Sequence, residues 1–246
     1  MKVAFVTGAA RRIGRTLAEH LAAQGYALAL HANNSAAEAE ALADTLEKKN
    51  VRTCVVEGDL ADAASVPSMI ETAAGTLGRL SLLVNNASLF KDDAAQDFTV
   101  EQFDAHMAIN LRAPLLLAQA FARHAAADDP SIVNIIDQRV FRLTPQFFTY
   151  TLSKAALLTA TQTMAQALAP AIRVNGVGPG PVLPNIHDGS EGFLREAQGT
   201  PLGRPVDPAE IARTVLFLAG ARSVTGQMIA VDSGQHIGWR TPDVIL

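Results

Sequence analysis

Seven short apolar runs, separated by stretches of helical spacing, constrain this chain more than any other feature. The runs cover residues 3–7, 27–31, 53–58, 81–86, 131–136, 172–177 and 228–232. They are too continuous for half-exposed strands and read as strands buried on both faces. Between them, residues 12–24, 35–49, 62–77, 99–125, 149–169 and 207–219 are rich in Ala and Leu at helical spacing. Asp62 and Asp207-Pro208 supply start signals, since Pro is tolerated where the first helical N–H has no partner. Strict alternation of strand and helix predicts one seven-stranded parallel sheet with right-handed crossovers and helices on both faces. Such an α/β, doubly wound sheet places ligands at the carboxyl ends of its strands.

At 246 residues, 49% hydrophobic and 18% charged, the chain suits a single domain over 1–246. A net charge of −4 argues against a nucleic-acid or anionic-membrane partner. Cys54 is the only cysteine, which leaves no internal disulfide and no cysteine metal cluster; it reads as a packed thiol. "MKVAFVTG" runs directly into a strand, and no apolar run has membrane-spanning length. The expectation is a cytoplasmic protein without a metal. Residues 178–206, with "GPGPVLPN" and "GTPLGRP", form a long irregular loop past a strand end, a candidate substrate lid.

The loop after the first strand reads "TGAARRIG". Gly8 and Gly14 allow a tight turn that faces a helix N-terminus toward a pyrophosphate. Three later strand ends extend this site: His31-Ala32-Asn33-Asn34-Ser35, Asp59-Leu60, whose carboxylate suits an adenine amino group, and Asn85-Asn86-Ala87. An NAD-selective site ends its second strand with an acid that binds both ribose hydroxyls. Here no acid occurs until Glu38, and His31, Asn33, Asn34 and Ser35, with Arg11 or Arg12 reaching over, suit a 2′-phosphate. The expected cofactor is NADPH (NADP). Ser35 is equally placed to cap the next helix.

Tyr150 and Lys154 stand four apart, on one face of a helix that follows the fifth strand. A lysine ammonium would lower the phenol's pKa, and the tyrosine could donate a proton opposite the atom receiving hydride.

Thr7-Gly8 with Gly14, Asn85-Asn86-Ala87, Asn110, Tyr150-x-x-x-Lys154 and Pro179-Gly180 together resemble the short-chain dehydrogenase/reductase family over nearly the whole chain. The resemblance implies a Rossmann-type domain and an extended NAD(P)(H), commonly in a homotetramer. It makes Tyr150 the acid/base and lets Lys154 hold the cofactor ribose. It gives Asn110 a proton-relay water. Ile13, Leu60, Ala87, Ser88, Pro179 and Gly180 join the cofactor set by the same resemblance. The family's usual third glycine and its catalytic serine are replaced by Arg12 and Asp137. Both departures, with "HANNSAAEA", "NNASLF" and "RVNGVGPG", are similar to the pteridine and dihydromonapterin reductases. That subgroup implies that Arg12 contacts cofactor phosphate and pterin, that Phe90 stacks on the pterin, and that Asp137 works with Tyr150 in proton delivery. Ser88 would bond pterin or cofactor phosphate. The expected reaction is reduction of a C=N bond in a dihydropterin or related planar heterocycle. The alternatives are a carbonyl reductase, or a cofactor-binding sensor without catalysis.

Overall fold

A computed structural model describes residues 1–184 and 189–239. Seven parallel strands form one sheet in the order β3-β2-β1-β4-β5-β6-β7. They are β1 (Lys2–Val6), β2 (Tyr26–Ala32), β3 (Thr53–Glu57), β4 (Leu82–Asn85), β5 (Ser131–Ile135), β6 (Arg173–Pro179) and β7 (Met228–Val231). The order reverses direction between β1 and β4, which opens a crevice at their carboxyl ends. Every residue of β2, β4, β5 and β6 is buried, as the unbroken apolar runs require.

Helices cover both faces. On one side lie α1 (Arg12–Ala23), α2 (Ala36–Glu47) and α8 (Pro208–Gly220), whose Leu17, Leu21, Leu42, Ile211 and Val215 pack on the sheet. On the other lie α3 (Val66–Leu77), α5 (Ala113–His124) and α6 (Phe148–Leu168), which supply Ile70, Leu117, Phe121 and Ala165. Each fully buried Leu or Phe contributes about 1.5–3 kcal/mol, so the two apolar layers outweigh any single loop contact. Cys54 is half-buried against the second layer, and burial pushes its thiol up to about 11. Among the described residues no helix is long and apolar enough to cross a membrane.

Three elements differ from the sequence expectation. The stretch 99–125 is not one helix: α4 (Val100–Met107) passes through a π-helical turn, Ala108–Arg112, into α5. Pro114, in the first turn of α5, explains the break, since a proline N cannot donate to the preceding turn. The loop 178–206 contains a helix, α7 (Gly189–Gln198), whose Phe193, Leu194 and Ala197 give it one apolar side. Residues 185–188 of the expected lid lie outside the described residues. Finally, α3 starts at Val66, and the carboxylate of Asp62 instead receives the Ala64 N–H of the preceding turn, at 3.1 Å.

Helix α6, which carries Tyr150 and Lys154, has an unusual start. Phe147 precedes it with φ +55° and no cap of its own. The loop after β4 supplies the missing acceptors. The backbone oxygen of Asp93 receives the Phe148 N–H at 3.2 Å, and its carboxylate receives the Thr149 N–H at 3.0 Å.

The glycine loop owes its shape to close packing. A Cβ on Gly14 would stand 1.9 Å from the Gly8 carbonyl oxygen, whereas a Cβ on Gly75, mid-α3, would meet nothing within 4 Å. Gly14→Ala is expected to destabilise the protein by about 1–3 kcal/mol or more through overpacking. Gly75→Ala should stabilise it by roughly 0.5–1 kcal/mol by removing glycine's entropy from a helix interior. Thermal unfolding of both variants checks this; equal melting temperatures would disprove the close approach.

Candidate active site

The crevice divides into two continuous halves of about 420 and 250 Å³, which share Arg12, Ile13, Asn86 and Ser88. The first half brings together Gly8, Arg11, Gly14, His31, Asn33, Asn34, Ser35, Asp59, Leu60 and Ala87 from the ends of β1 to β4. The second holds Phe90, Asp137, Tyr150, Lys154, Pro179 and Gly180. Asn110 lines neither half. It is fully buried in the π-turn behind the loop after β4.

In the first half, Gly8 turns with φ +62° into α1, whose N-terminus has no side-chain cap and no acid in its first turn. Uncapped N–H groups opening on a cleft suit an anion. Ser35, at the start of α2, likewise makes no capping bond, so its hydroxyl does not serve the helix as its position suggested. The two arginines diverge. Arg11 reaches outward to Glu38 on α2 in an exposed ion pair, which is worth little and easily exchanged for a phosphate. Arg12 turns inward. Its backbone lies at φ +52°, the conformation a glycine would occupy without strain. Its guanidinium donates to the carbonyl oxygens of Pro184 at 3.0 Å and Leu183 at 3.4 Å, bridging the glycine loop and the loop after β6.

His31 plays another part than that of a surface cation. It is 1% exposed; its Nδ1 accepts from the Gly8 N–H at 3.2 Å and its Nε2 meets the Gly58 carbonyl at 3.1 Å. Burial lowers its pKa, so the neutral ring pins the turn. Thr7, which sequence reasoning quoted without a role, is the second pin. Its hydroxyl oxygen accepts the N–H groups of Asn86 and Ala87 at 2.8 and 2.9 Å.

In the second half, the Tyr150 hydroxyl donates to Asp137 Oδ2 at 2.8 Å, and the Arg139 N–H donates to Oδ1 at 2.8 Å. Lys154 is 2% exposed and its Nζ donates to the Ile135 carbonyl at 2.8 Å. Burial lowers Lys154 to about 8 and raises Asp137. It also raises Tyr150 well above the ordinary phenol value, with the Asp137 charge and hydrogen bond adding to the rise. Arg139 and a hydrogen bond from Ser88 pull the other way. Burial and the Asp137 carboxylate thus prevail over any lowering by Lys154. The ammonium is engaged by a carbonyl and lies 5.8 Å from the ring centre, while a carboxylate holds the hydroxyl. Tyr150 therefore holds its proton more tightly than a free phenol.

Phe90 is half-buried. It stacks on Phe147 at 4.2 Å between ring centres and meets Tyr150 edge-on at 4.8 Å. The Asn110 amide is fully engaged by protein: Oδ1 accepts from Leu89 N–H at 2.8 Å and Ser88 hydroxyl at 3.2 Å, and Nδ2 donates to Leu89 O and Ser153 Oγ. It clamps the loop that carries Ser88 and Phe90. His106, not anticipated from sequence, joins the same loop to α6: Nε2 accepts from Lys91 N–H at 3.3 Å and Nδ1 meets Thr149 Oγ1 at 2.7 Å. Thr149 in turn donates to Asp93. Pro179-Gly180 has a packing reason, because a Cβ on Gly180 would lie 2.6 Å from Asp232 Cα. Among the described residues no cluster of His, Cys, Asp or Glu could hold a metal.

Residues 8–236 match a family model described as enoyl-(acyl carrier protein) reductase. The chain is 32% identical over 242 residues to the 3-oxoacyl-[acyl-carrier-protein] reductase of Staphylococcus aureus, covering 96% of this chain and 98% of that one. The structure superposes on FolM alternative dihydrofolate reductase 1 from Brucella canis complexed with NADP. That match has a TM-score of 0.95 and 45% identity, over 99% of this chain and 97% of the other. A blue fluorescent protein from a metagenomic library, in complex with NADPH, matches with a TM-score of 0.90 and 35% identity, over 95% and 97%.

Because the Asp137 carboxylate raises Tyr150, Asp137→Asn is expected to lower the tyrosine's titration midpoint. The chain has only two tyrosines, so ultraviolet difference titration resolves them. An unchanged or higher midpoint would refute the coupling.

Proposed function

The chain belongs to the short-chain dehydrogenase/reductase family, and from that membership and the site we propose that it is an NADPH-dependent reductase acting on a C=N bond of a dihydropterin or a similar planar heterocycle. The observation that carries this is the Asp137–Tyr150 hydrogen bond beside Phe90. A carbonyl reductase needs a second donor to hold the developing oxyanion. Here both Asp137 oxygens accept, from the Tyr150 hydroxyl and the Arg139 N–H, so the side chain offers no second donor to such an oxygen. A ring nitrogen that must take a proton has no such requirement.

The residues present fit NADP(H). Uncapped α1 behind Gly8 and Gly14 would hold the pyrophosphate, and Asp59 with Leu60 would border the adenine. Asn33, Asn34, Ser35 and a released Arg11 would hold the 2′-phosphate. When bound, the cofactor supplies hydride. Tyr150 then gives its proton to the nitrogen, and the phenolate left beside an ionised Asp137 would be strongly disfavoured. Asp137, whose carboxyl burial pushes up, would take a proton from solvent and pass it to Tyr150 after each turnover, and buried Lys154 balances the remaining charge. Proton delivery therefore runs through Asp137 and Tyr150 as a unit. The 45% identity to the Brucella canis protein supports this reading over the 3-oxoacyl activity of the 32% identical relative. Assembly as a homotetramer in the cytoplasm remains part of the proposal by family likeness.

The test is NADPH oxidation with 7,8-dihydrobiopterin, a 3-oxoacyl thioester and a simple diketone. Turnover of the pterin is expected. Tyr150→Phe should reduce kcat by about 10²–10⁴-fold with little change in NADPH affinity. Turnover of the carbonyl compounds alone would show the second reading, a carbonyl reductase, to be right.

Cofactor choice is read separately. Replacing Asn34 and Ser35 together by Ala should weaken NADPH about ten- to a hundredfold, the usual loss of hydrogen bonds to a charged group, and leave NADH nearly unchanged. Fluorescence titration measures both, and tighter NADH binding by the parent protein would refute the selectivity.

A further inference from the structure

The substrate half of the cleft is bordered by three acceptor-bearing side chains that the proton chemistry does not use. Gln138 lies in the 3-10 turn after β5, Glu196 on α7, and Gln235 in the 3-10 turn after β7. Gln138 is 4% exposed, and its amide oxygen has no hydrogen-bond partner. The Gln235 amide oxygen is equally sheltered and also unpartnered. Its orientation is settled by its neighbour: Nε2 donates to Glu196 Oε1 at 2.7 Å, and a carboxylate accepts only.

The segment that presents Gln235 is rigidly built. Asp232, 3% exposed, receives the Gly234 N–H at 3.0 Å and the His236 N–H at 2.7 Å. Arg142 donates to the Gln235 carbonyl at 3.0 Å, which ties this turn to the one carrying Gln138. Buried acceptors without donors are costly and uncommon. The two side chains that carry them, with Glu196, line one cleft. The nearby cation, Arg139, is directed elsewhere, to Thr144 Oγ1 at 2.8 Å and the Phe147 ring.

We infer that Gln138, Glu196 and Gln235 form an acceptor edge that selects substrates by their N–H donors, such as the amino-substituted amidine edge of a 2-amino-4-oxopteridine. This rests on the pterin reading of the same site and specifies which edge of the ring is recognised, and by what. An acyl chain or a simple ketone brings no donor and would leave both amide oxygens unpaired in a sheltered cleft. Sites built to bond an N–H reject analogues lacking it more strongly than an apolar pocket rejects a misfit.

Calorimetric titration of the NADP-saturated protein with pterin, and with the 4-oxopteridine that lacks the 2-amino group, tests this. The parent should prefer pterin by about tenfold, and Gln138→Leu and Gln235→Leu should each shrink that preference to a few-fold. Unchanged NADP affinity shows that a variant is folded, and Gln235→Leu, on a partly open turn, guards against a core defect in Gln138→Leu. No amino preference in the parent, or one that survives both substitutions, overturns the acceptor edge. Turnover of 7,8-dihydrobiopterin is measured alongside. Preferential binding without turnover supports the edge and overturns the reductase reading. Turnover without the preference does the reverse.

Discussion

The cleft depends on the loop after β4 being tied down on both sides. Toward β1, the Thr7 hydroxyl holds the N–H groups of Asn86 and Ala87. Toward the helices, Asn110 holds Ser88 and Leu89, His106 holds Lys91, and Asp93 supplies the acceptors that start α6. One loop therefore sets the floor of the cofactor half, the position of Phe90 and the first turn of the helix that carries Tyr150. Each tie is buried or nearly so, where an unpaired polar group is expensive, which makes the arrangement cooperative rather than a set of separable contacts.

That rigid frame gathers three titratable groups at the cleft, Tyr150 and Lys154 buried and Asp137 half-buried. Asp137 and Lys154 are opposite charges with Tyr150 between them in sequence roles, and burial pushes each toward its neutral form. A serine at position 137 would leave the phenol facing a lysine alone. With aspartate there, the phenol donates to a carboxylate and holds its proton more tightly. On the proposed reading, this replacement rather than any change of fold sets which bond the Tyr-Lys pair reduces.

The paired arginines illustrate how a strained position can be functional. Glycine would sit at residue 12 without cost, while a left-handed arginine backbone costs about 1–2 kcal/mol. Its side chain compensates by spanning from the glycine loop to Leu183 and Pro184. Arg11, next to it, points to α2. The two cations thus point different ways, Arg11 to α2 and Arg12, at the junction of the two halves of the cleft, to Leu183 and Pro184.

Much of this was legible in the residues alone. Alternating apolar runs determined the parallel sheet, because each strand must be buried on both faces. Gly8 and Gly14 marked the anion-binding turn, and the four-residue spacing of Tyr150 and Lys154 marked one helical face. The absence of an acid after β2 pointed to a 2′-phosphate. Pro114 carried the signal for the break before α5, and Phe193-Leu194 with Ala197 the signal for α7, but each was masked by its surroundings. The direction of the Tyr150 shift, the pinning by His31 and Thr7, the capping of α6 by Asp93, and the meeting of Gln138, Glu196 and Gln235 were decided only by tertiary structure. Periodicity, turns and caps are set among residues within a turn or two of each other. Burial and hydrogen bonds between segments tens of residues apart exist only after the sheet has brought the strand ends to one edge.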